Sequence, residues 1–219
     1  MPRIARIVVP GVAHHVTQRG NRRLPVFFND GDRRAYLALI AEACTAQGTR
    51  CLAWCLMENH VHLILIPREE DGLRATLAEA HRRYTRRINQ REGWTGYLFQ
   101  GRFASYPMDD AHLMAAVRYV ENNPVKASIV KHAEDWAWSS ARAHISGKPD
   151  GLTALDFDFG GVGNWRAMLV DGLEAADRDA RIEAVLRTGR PLGSDVWLGL
   201  LENQTGRILK TRPAGRKRA

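Results

Sequence analysis

Long apolar runs, cysteine and acidic charge are all scarce in this chain. Across its 219 residues no apolar stretch approaches the roughly 18 that a membrane-spanning helix needs. Met1-Pro2-Arg3-Ile4-Ala5-Arg6 carries charge with no apolar core behind it, unlike a secretory leader, so a cytoplasmic, nucleoid-associated protein is expected. The three cysteines, Cys44, Cys51 and Cys55, are too few and odd in number for a disulfide framework, so reduced, buried thiols are expected. Against 32 Lys and Arg there are 24 Asp and Glu, a net charge of +8 and a pI near 9.9. An excess of that size favours a polyanionic partner, nucleic acid ahead of a membrane. There is no internal repeat and no low-complexity tract.

What is present reads as an ordinary globule, 45% hydrophobic and 26% charged, long enough for one domain or one domain with an appendage. Val12 to Gln18 reads as a first strand, followed by the basic turn Arg19-Gly20-Asn21-Arg22-Arg23. Asn29-Asp30-Gly31-Asp32 supplies cap chemistry for a helix that Gly48 ends. Cys51 to Met57 and Val61 to Ile66 read as the arms of a hairpin turning at Glu58-Asn59. Asp71-Gly72 opens a helix to about Gln90, and Gly93 to Gly101 is a loop carrying Trp94, Tyr97 and Phe99. Arg102 to Tyr106 is a short fourth strand, and Asp109-Asp110 caps a helix that must end before Pro124. The order β-α-β-β-α-β-α predicts an α+β fold: a ferredoxin-like antiparallel sheet with helices packed on it.

The composition shifts after Gly147. The expected division is a main domain at 1–148, a small, mostly helical extension at 149–206, and a basic tail at 207–219. Asp177 to Arg187 and Ser194 to Asn203 are the expected helices of the extension, through plain packing rather than a helix-turn-helix.

His60-Val61-His62 heads an apolar strand. Strand side chains alternate, so both imidazoles face one way and can share one ion. His14-His15 is the contrast: adjacent residues face apart, cannot chelate together, and read as structural. Cys51 and Cys55 lie about 13 Å apart on a strand, too far for one tetrahedral zinc with the histidines. The last helix of the main domain has a core stripe of Leu113, Ala116, Val117 and Val120. Its neighbouring ridge carries His112, Ala115, Tyr119 and Asn123, which offers a nucleophile and a third ligand to the histidine face. A divalent ion bound by imidazole and oxygen would draw charge from a phosphodiester. Tyrosine, with a pKa near 10, needs such help to attack. Tyr84, Tyr97 and Tyr106 compete as nucleophiles but lack this pairing with Asn123 and Pro124.

These stretches together resemble the single-tyrosine HUH transposases, and within them the REP-associated tyrosine transposases of the IS200-like group. The residues that carry the resemblance are His60-Val61-His62 and Tyr119-Val120-Glu121-Asn122-Asn123-Pro124-Val125-Lys126-Ala127. Arg19-Gly20-Asn21-Arg22, Phe99-Gln100-Gly101-Arg102-Phe103 and Trp136-Ala137-Trp138-Ser139-Ser140 add to it. It spans roughly residues 1–145 and implies the HUH endonuclease fold. It also implies cleavage of single-stranded DNA by Tyr119, leaving a 5′-phosphotyrosine and a free 3′ hydroxyl. His60, His62 and Asn123 would bind Mg²⁺ or Mn²⁺, although the family more often places Gln, one methylene longer, at the third position. The implied substrate is a repetitive palindrome folded as a hairpin, and the implied assembly a monomer or homodimer. Arg19, Arg22, Arg23 and Arg102 match motif positions that grip its backbone. Arg82, Arg83, Arg86 and Arg87, with few acids nearby, are expected to add phosphate contacts. Trp94, Tyr97 and Phe99 either stack bases or cap the core. The alternatives are a non-catalytic DNA-binding module of the same fold and a replication-type single-strand nickase.

Overall fold

The computed structural model of the chain describes residues 6–171, 182–185 and 188–210. Alternating apolar segments form β1 (His14–Arg19), β2 (Arg50–Leu56), β3 (His60–Ile66) and β4 (Ala104–Pro107). Between and after them run α1 (Asp30–Gln47), α2 (Gly72–Glu92) and α3 (Asp110–Glu121). The strands lie in the order β2-β3-β1-β4 with every neighbouring pair antiparallel, an α+β, ferredoxin-like sheet. Asn29 caps α1 by accepting from the Asp32 N–H, and Asp109 caps α3 by accepting from His112.

β4 begins two residues later than its sequence suggests. Gly101 turns the chain with φ 57°, and just before it the Gln100 N–H is bound at 2.8 Å to the Arg19 carbonyl. The loop is thus stitched to the end of β1 before the strand starts.

Alternation, interrupted on β2 by an irregularity between Cys51 and Ala53, gives the sheet two unlike layers. Val16, Leu63 and Leu65 face α1 and α2, where Tyr36, Ile40, Leu77 and Tyr84 close the larger core. Ile64, Cys55 and Tyr106 face α3, whose Leu113, Ala116, Val117 and Val120 are buried as its stripe predicts. The tyrosine-bearing helix therefore covers the histidine side of the sheet.

α3 stops at Glu121. Asn122 leaves helical geometry (φ −85°, ψ 1°), and a short helix α4 (Asn123–Lys126) follows with Pro124 in its first turn. Beyond it come α5 (Ala141–Ser146), α6 (Trp165–Asp171) and α7 (Asp195–Thr205), the last capped by the Ser194 side chain. Of the helix expected at Asp177 to Arg187, Ile182 to Val185 are helical and the remainder lies outside the described residues. Of the basic tail, only Arg207 to Lys210 fall within them.

The described residues after Gly147 pack directly on the sheet and on α3. Phe157, Phe159 and Trp165 join the α3 core, and Thr153 pairs alongside Cys51 on β2. At the opposite edge Leu192 pairs alongside Met108, its N–H 3.0 Å from the Pro107 carbonyl.

Candidate active site

The pairing of β1 with β3 sets His60 opposite Arg19 and His62 opposite Thr17. The two imidazoles share a face, as their spacing predicts, with ring centroids 5.0 Å apart. Each has its Nδ1 tied. His60 Nδ1 lies 2.7 Å from Asn59 Oδ1, while the Asn59 amide nitrogen donates to the Arg23 carbonyl at 2.9 Å. That second bond fixes the amide, so His60 Nδ1 must be the donor and Nε2 keeps its lone pair. His62 Nδ1 lies 2.9 Å from His15 Nε2, and His15 Nδ1 lies 2.7 Å from the Tyr106 hydroxyl. Burial, with Arg19 beside it, pulls His60 down to about 4. Burial again, then His15, His60, Arg19 and Lys126, pull His62 well below the usual range. Both rings are held neutral, the form that ligates a metal.

The amide of Asn123 stands 3.5 Å from His62 Nε2 and also bonds to His60. The shorter side chain reaches the pair because Asn123 opens α4, so the Tyr119–Asn123 pair straddles the break at Asn122 instead of sharing one helix. The Tyr119 ring packs 5.8 Å from His62 and 5.9 Å from His15, and the Lys126 ammonium sits 4.3 Å from its centroid. His60, His62, Tyr119 and Asn123 open on a cavity of about 860 Å³, walled in addition by Gln18, Gln100, the cations Arg19, Arg23 and Arg102, and the acid Glu183.

Among the described residues no three His, Cys, Asp or Glu side chains converge as a ready-made metal centre. The donor set is two neutral imidazoles and one amide. It fits a divalent cation that takes its remaining ligands from phosphate or water oxygens.

Arg22 does not line the cavity, but it stands exposed in the same turn as Arg19 and Arg23. Arg22 and Arg23 both hold left-handed backbone, φ 53° and 63°, a conformation costly for arginine. Gly20 lets the turn fold back, since a Cβ there would meet the Leu24 carbonyl oxygen at 2.1 Å.

Two of the four α2 arginines have acids beside them, where few were expected. α2 packs on the far layer of the sheet, and Arg82 and Arg83 are paired with Glu79 at 2.8 Å and Glu42 at 2.6 Å. The acids come from three residues back along α2 and from the adjoining α1. Arg86 and Arg87 remain exposed, outside the cavity.

The loop aromatics divide. Phe99 is a core cap, 4.4 Å from the His81 ring, and Trp94 rests on Phe28, whereas Tyr97 is 89% exposed. Tyr84 donates its hydroxyl to the Val26 carbonyl, away from the histidines. Cys44, Cys51 and Cys55 are free and buried, and burial pushes all three thiols up. His14 is structural, bonded to the Val9 N–H and the Val12 carbonyl. His15 adjoins the site, its Nε2 2.9 Å from His62 Nδ1.

A cluster at the end of α3 was not read from the sequence. Glu121, fully buried, accepts from Ser140 Oγ and from His144 Nδ1 (2.6 Å) on one oxygen and from Trp165 Nε1 (2.7 Å) on the other. Trp138-Ser139-Ser140 stood out as a motif, but nothing local linked it to Glu121.

Among solved structures, that of a REP-associated tyrosine transposase bound to a REP hairpin is 21% identical, with a TM-score of 0.58 over 72% of this chain and 92% of the other. A transposase-like protein from Deinococcus radiodurans R1 is also 21% identical, with a TM-score of 0.39 over 55% of this chain and 97% of the other. At such identity the first likeness speaks for the fold. No curated protein matches the chain. The family described as IS200-like transposases matches residues 8–123, which take in β1, the histidine strand and the tyrosine helix as far as Asn123. That is more than half of the sequence, and the chain belongs to the IS200-like transposase family.

Proposed function

We propose that this transposase is a metal-dependent single-strand DNA endonuclease and strand transferase that cuts beside hairpin-forming repeats through a phosphotyrosine intermediate. One observation carries the reading: Asn123 stands 3.5 Å from His62 Nε2 and the Tyr119 ring packs on His62, in a cavity that His60 and three arginines also line. In the proposed reaction the Tyr119 oxygen bonds to phosphorus as the bond to the 3′ oxygen breaks. The phenolic proton is lost to solvent, and the departing 3′ oxygen gains one. The product is a 5′-phosphotyrosine beside a free 3′ hydroxyl, and reversal by another 3′ hydroxyl rejoins the strand. Held by His60, His62 and Asn123, Mg²⁺ or Mn²⁺ would neutralise charge on the phosphate under attack. Lys126 over the ring favours negative charge on the phenol. Arg19, Arg23 and Arg102 would seat the backbone. Exposed Arg22, Arg86 and Arg87 are free to touch phosphates beyond the cavity, whereas Arg82 and Arg83 would first have to leave their glutamates. The solved relative is bound to a REP hairpin, and a hairpin with a single-stranded flank suits a basic cavity of this volume.

The test is a labelled hairpin with a single-stranded flank, incubated with Mn²⁺ and resolved under denaturing conditions. A covalent adduct is expected from the native protein and none from Tyr119→Phe. His60→Ala combined with His62→Ala should also lose the adduct yet bind the hairpin nearly as well, because phosphate contacts dominate affinity. Binding with no adduct from the native protein would leave only a DNA-binding module.

A further inference from the structure

We propose that His15, itself held by Tyr106, is a positioning residue that aims the lone pair of His62 Nε2 into the cavity. This rests on the metal-site reading above and deepens it.

Three neighbouring strands each supply one member of the array. Tyr106 of β4 lies directly opposite His15 of β1, and His62 of β3 lies on the diagonal from His15, whose own partner on β3 is Ile64. All three side chains share the face covered by α3, where cross-strand and diagonal neighbours are within reach. The hydroxyl–imidazole distance is 2.7 Å and the imidazole–imidazole distance 2.9 Å. None of the three residues is more than 4% exposed, so water does not replace these bonds.

Such an array can run in two directions, and they exclude one another. In the first, His15 Nδ1–H donates to the Tyr106 oxygen and His15 Nε2 accepts from His62 Nδ1–H. His62 then presents a bare Nε2 to Asn123 and the cavity. In the second, Tyr106 donates to His15, His15 donates to His62 Nδ1, and His62 turns an N–H toward the cavity, where it cannot ligate. Only the first direction makes a metal ligand of His62. His60 needs no such device, because Asn59 already fixes its tautomer. Ligating histidines are commonly held this way, through the ring nitrogen that does not touch the metal. Three polar groups in a layer otherwise closed by Ile64, Ala116 and Val117 must be desolvated, a cost that plain packing would not require.

The first measurement needs no metal. Long-range proton–nitrogen spectra of histidine-labelled full-length protein should show His62 protonated on Nδ1 and bare on Nε2. Tyr106→Phe should leave His62 in mixed tautomers. The second is a calorimetric Mn²⁺ titration of the DNA-free protein. His15→Leu should weaken binding roughly 10- to 100-fold, the usual effect of losing such a partner. His15→Gln, whose amide oxygen can accept from His62 Nδ1, should restore most of it. A folded His15→Leu that binds Mn²⁺ like the native protein would overturn the proposal, as would a proton found on His62 Nε2. Native protein that takes up no Mn²⁺ would refute the metal site instead, with the tautomer spectrum still deciding the role of His15. If His15→Leu fails to fold, the spectra and Tyr106→Phe decide.

Discussion

Replacing Glu121 by alanine should cost more stability than almost any other single change near the active site. The carboxylate is fully buried and accepts three donors, from Ser140, His144 and Trp165. Ser140 has a fallback, the Trp54 carbonyl at 3.3 Å, so its loss is small. The His144 and Trp165 N–H groups have none among the described residues, and each buried donor without an acceptor costs about 1–3 kcal/mol. With the side-chain packing also gone, the total is about 4 kcal/mol. For a chain of this length each kcal/mol moves the Tm by about 2–4 °C, so Glu121→Ala should melt roughly 8–16 °C lower. Trp165→Phe removes one donor and should cost about 1 kcal/mol. Glu121→Gln keeps one acceptor but sets an amide N–H against a donor, so it should fall between the two. The end of α3 also aims Tyr119 and Asn123, so adduct formation should drop further than DNA binding does. Thermal melts by circular dichroism, with adduct assays well below each Tm, test the chain of reasoning. A Glu121→Ala protein melting within about 2 °C of the native one would refute it.

Acid should destabilise the fold, and the arginine wall should show in the salt dependence of binding. Burial lowers His14 to about 4, and His15 and His81 to about 3, from an ordinary 6.5. The unfolded chain therefore binds more protons, so this stability is complete above pH 6.5 and is lost as the pH falls from there, toward about 4 for His14 and about 3 for His15 and His81. The loss approaches about 1.4 kcal/mol per pH unit for each histidine, and a Tm unchanged between about pH 7.5 and about pH 5 would contradict it. Arg102→Ala should weaken hairpin binding and reduce the slope of log affinity against log salt by about 0.7, the value of one single-strand phosphate contact. An unchanged slope would remove Arg102 from the DNA path.

What the sequence made legible was local. Two histidines at strand spacing must share a face, and the Leu113, Ala116, Val117, Val120 stripe must turn inward, whatever the rest of the chain does. Groups whose partners arrive through strand register or from distant helices were not legible. His15 looked like half of an idle pair with His14, because its link to His62 exists only once β1 lies beside β3 in one register. Glu121 gave no sign of its role, since its partners come from α5, α6 and the residue before α5. The acids beside the α2 arginines were hidden for a similar reason: Glu79 was visible three residues away, but Glu42 reaches Arg83 only when α1 packs on α2. Asn123 turned on the break after Glu121. Pro124 announces that break, yet not the direction the chain then takes.

The way later segments of the chain lie along the sheet has a consequence for association. A four-stranded sheet has two outer strands whose free N–H and C=O groups invite a strand from another molecule. Here Trp138 to Ser140 and Thr153 pair along β2, and Leu192 bonds the Pro107 carbonyl at the end of β4, so both margins are already engaged by the same chain. Another copy cannot lengthen this sheet along the paired stretches without first peeling those segments away. A chain cut after Gly147 would keep Trp138 to Ser140 on β2 but lose Leu192 from the end of β4, so that margin should be the one to pair with another copy, while its histidines and Tyr119 stay on the strand and helix that carry them.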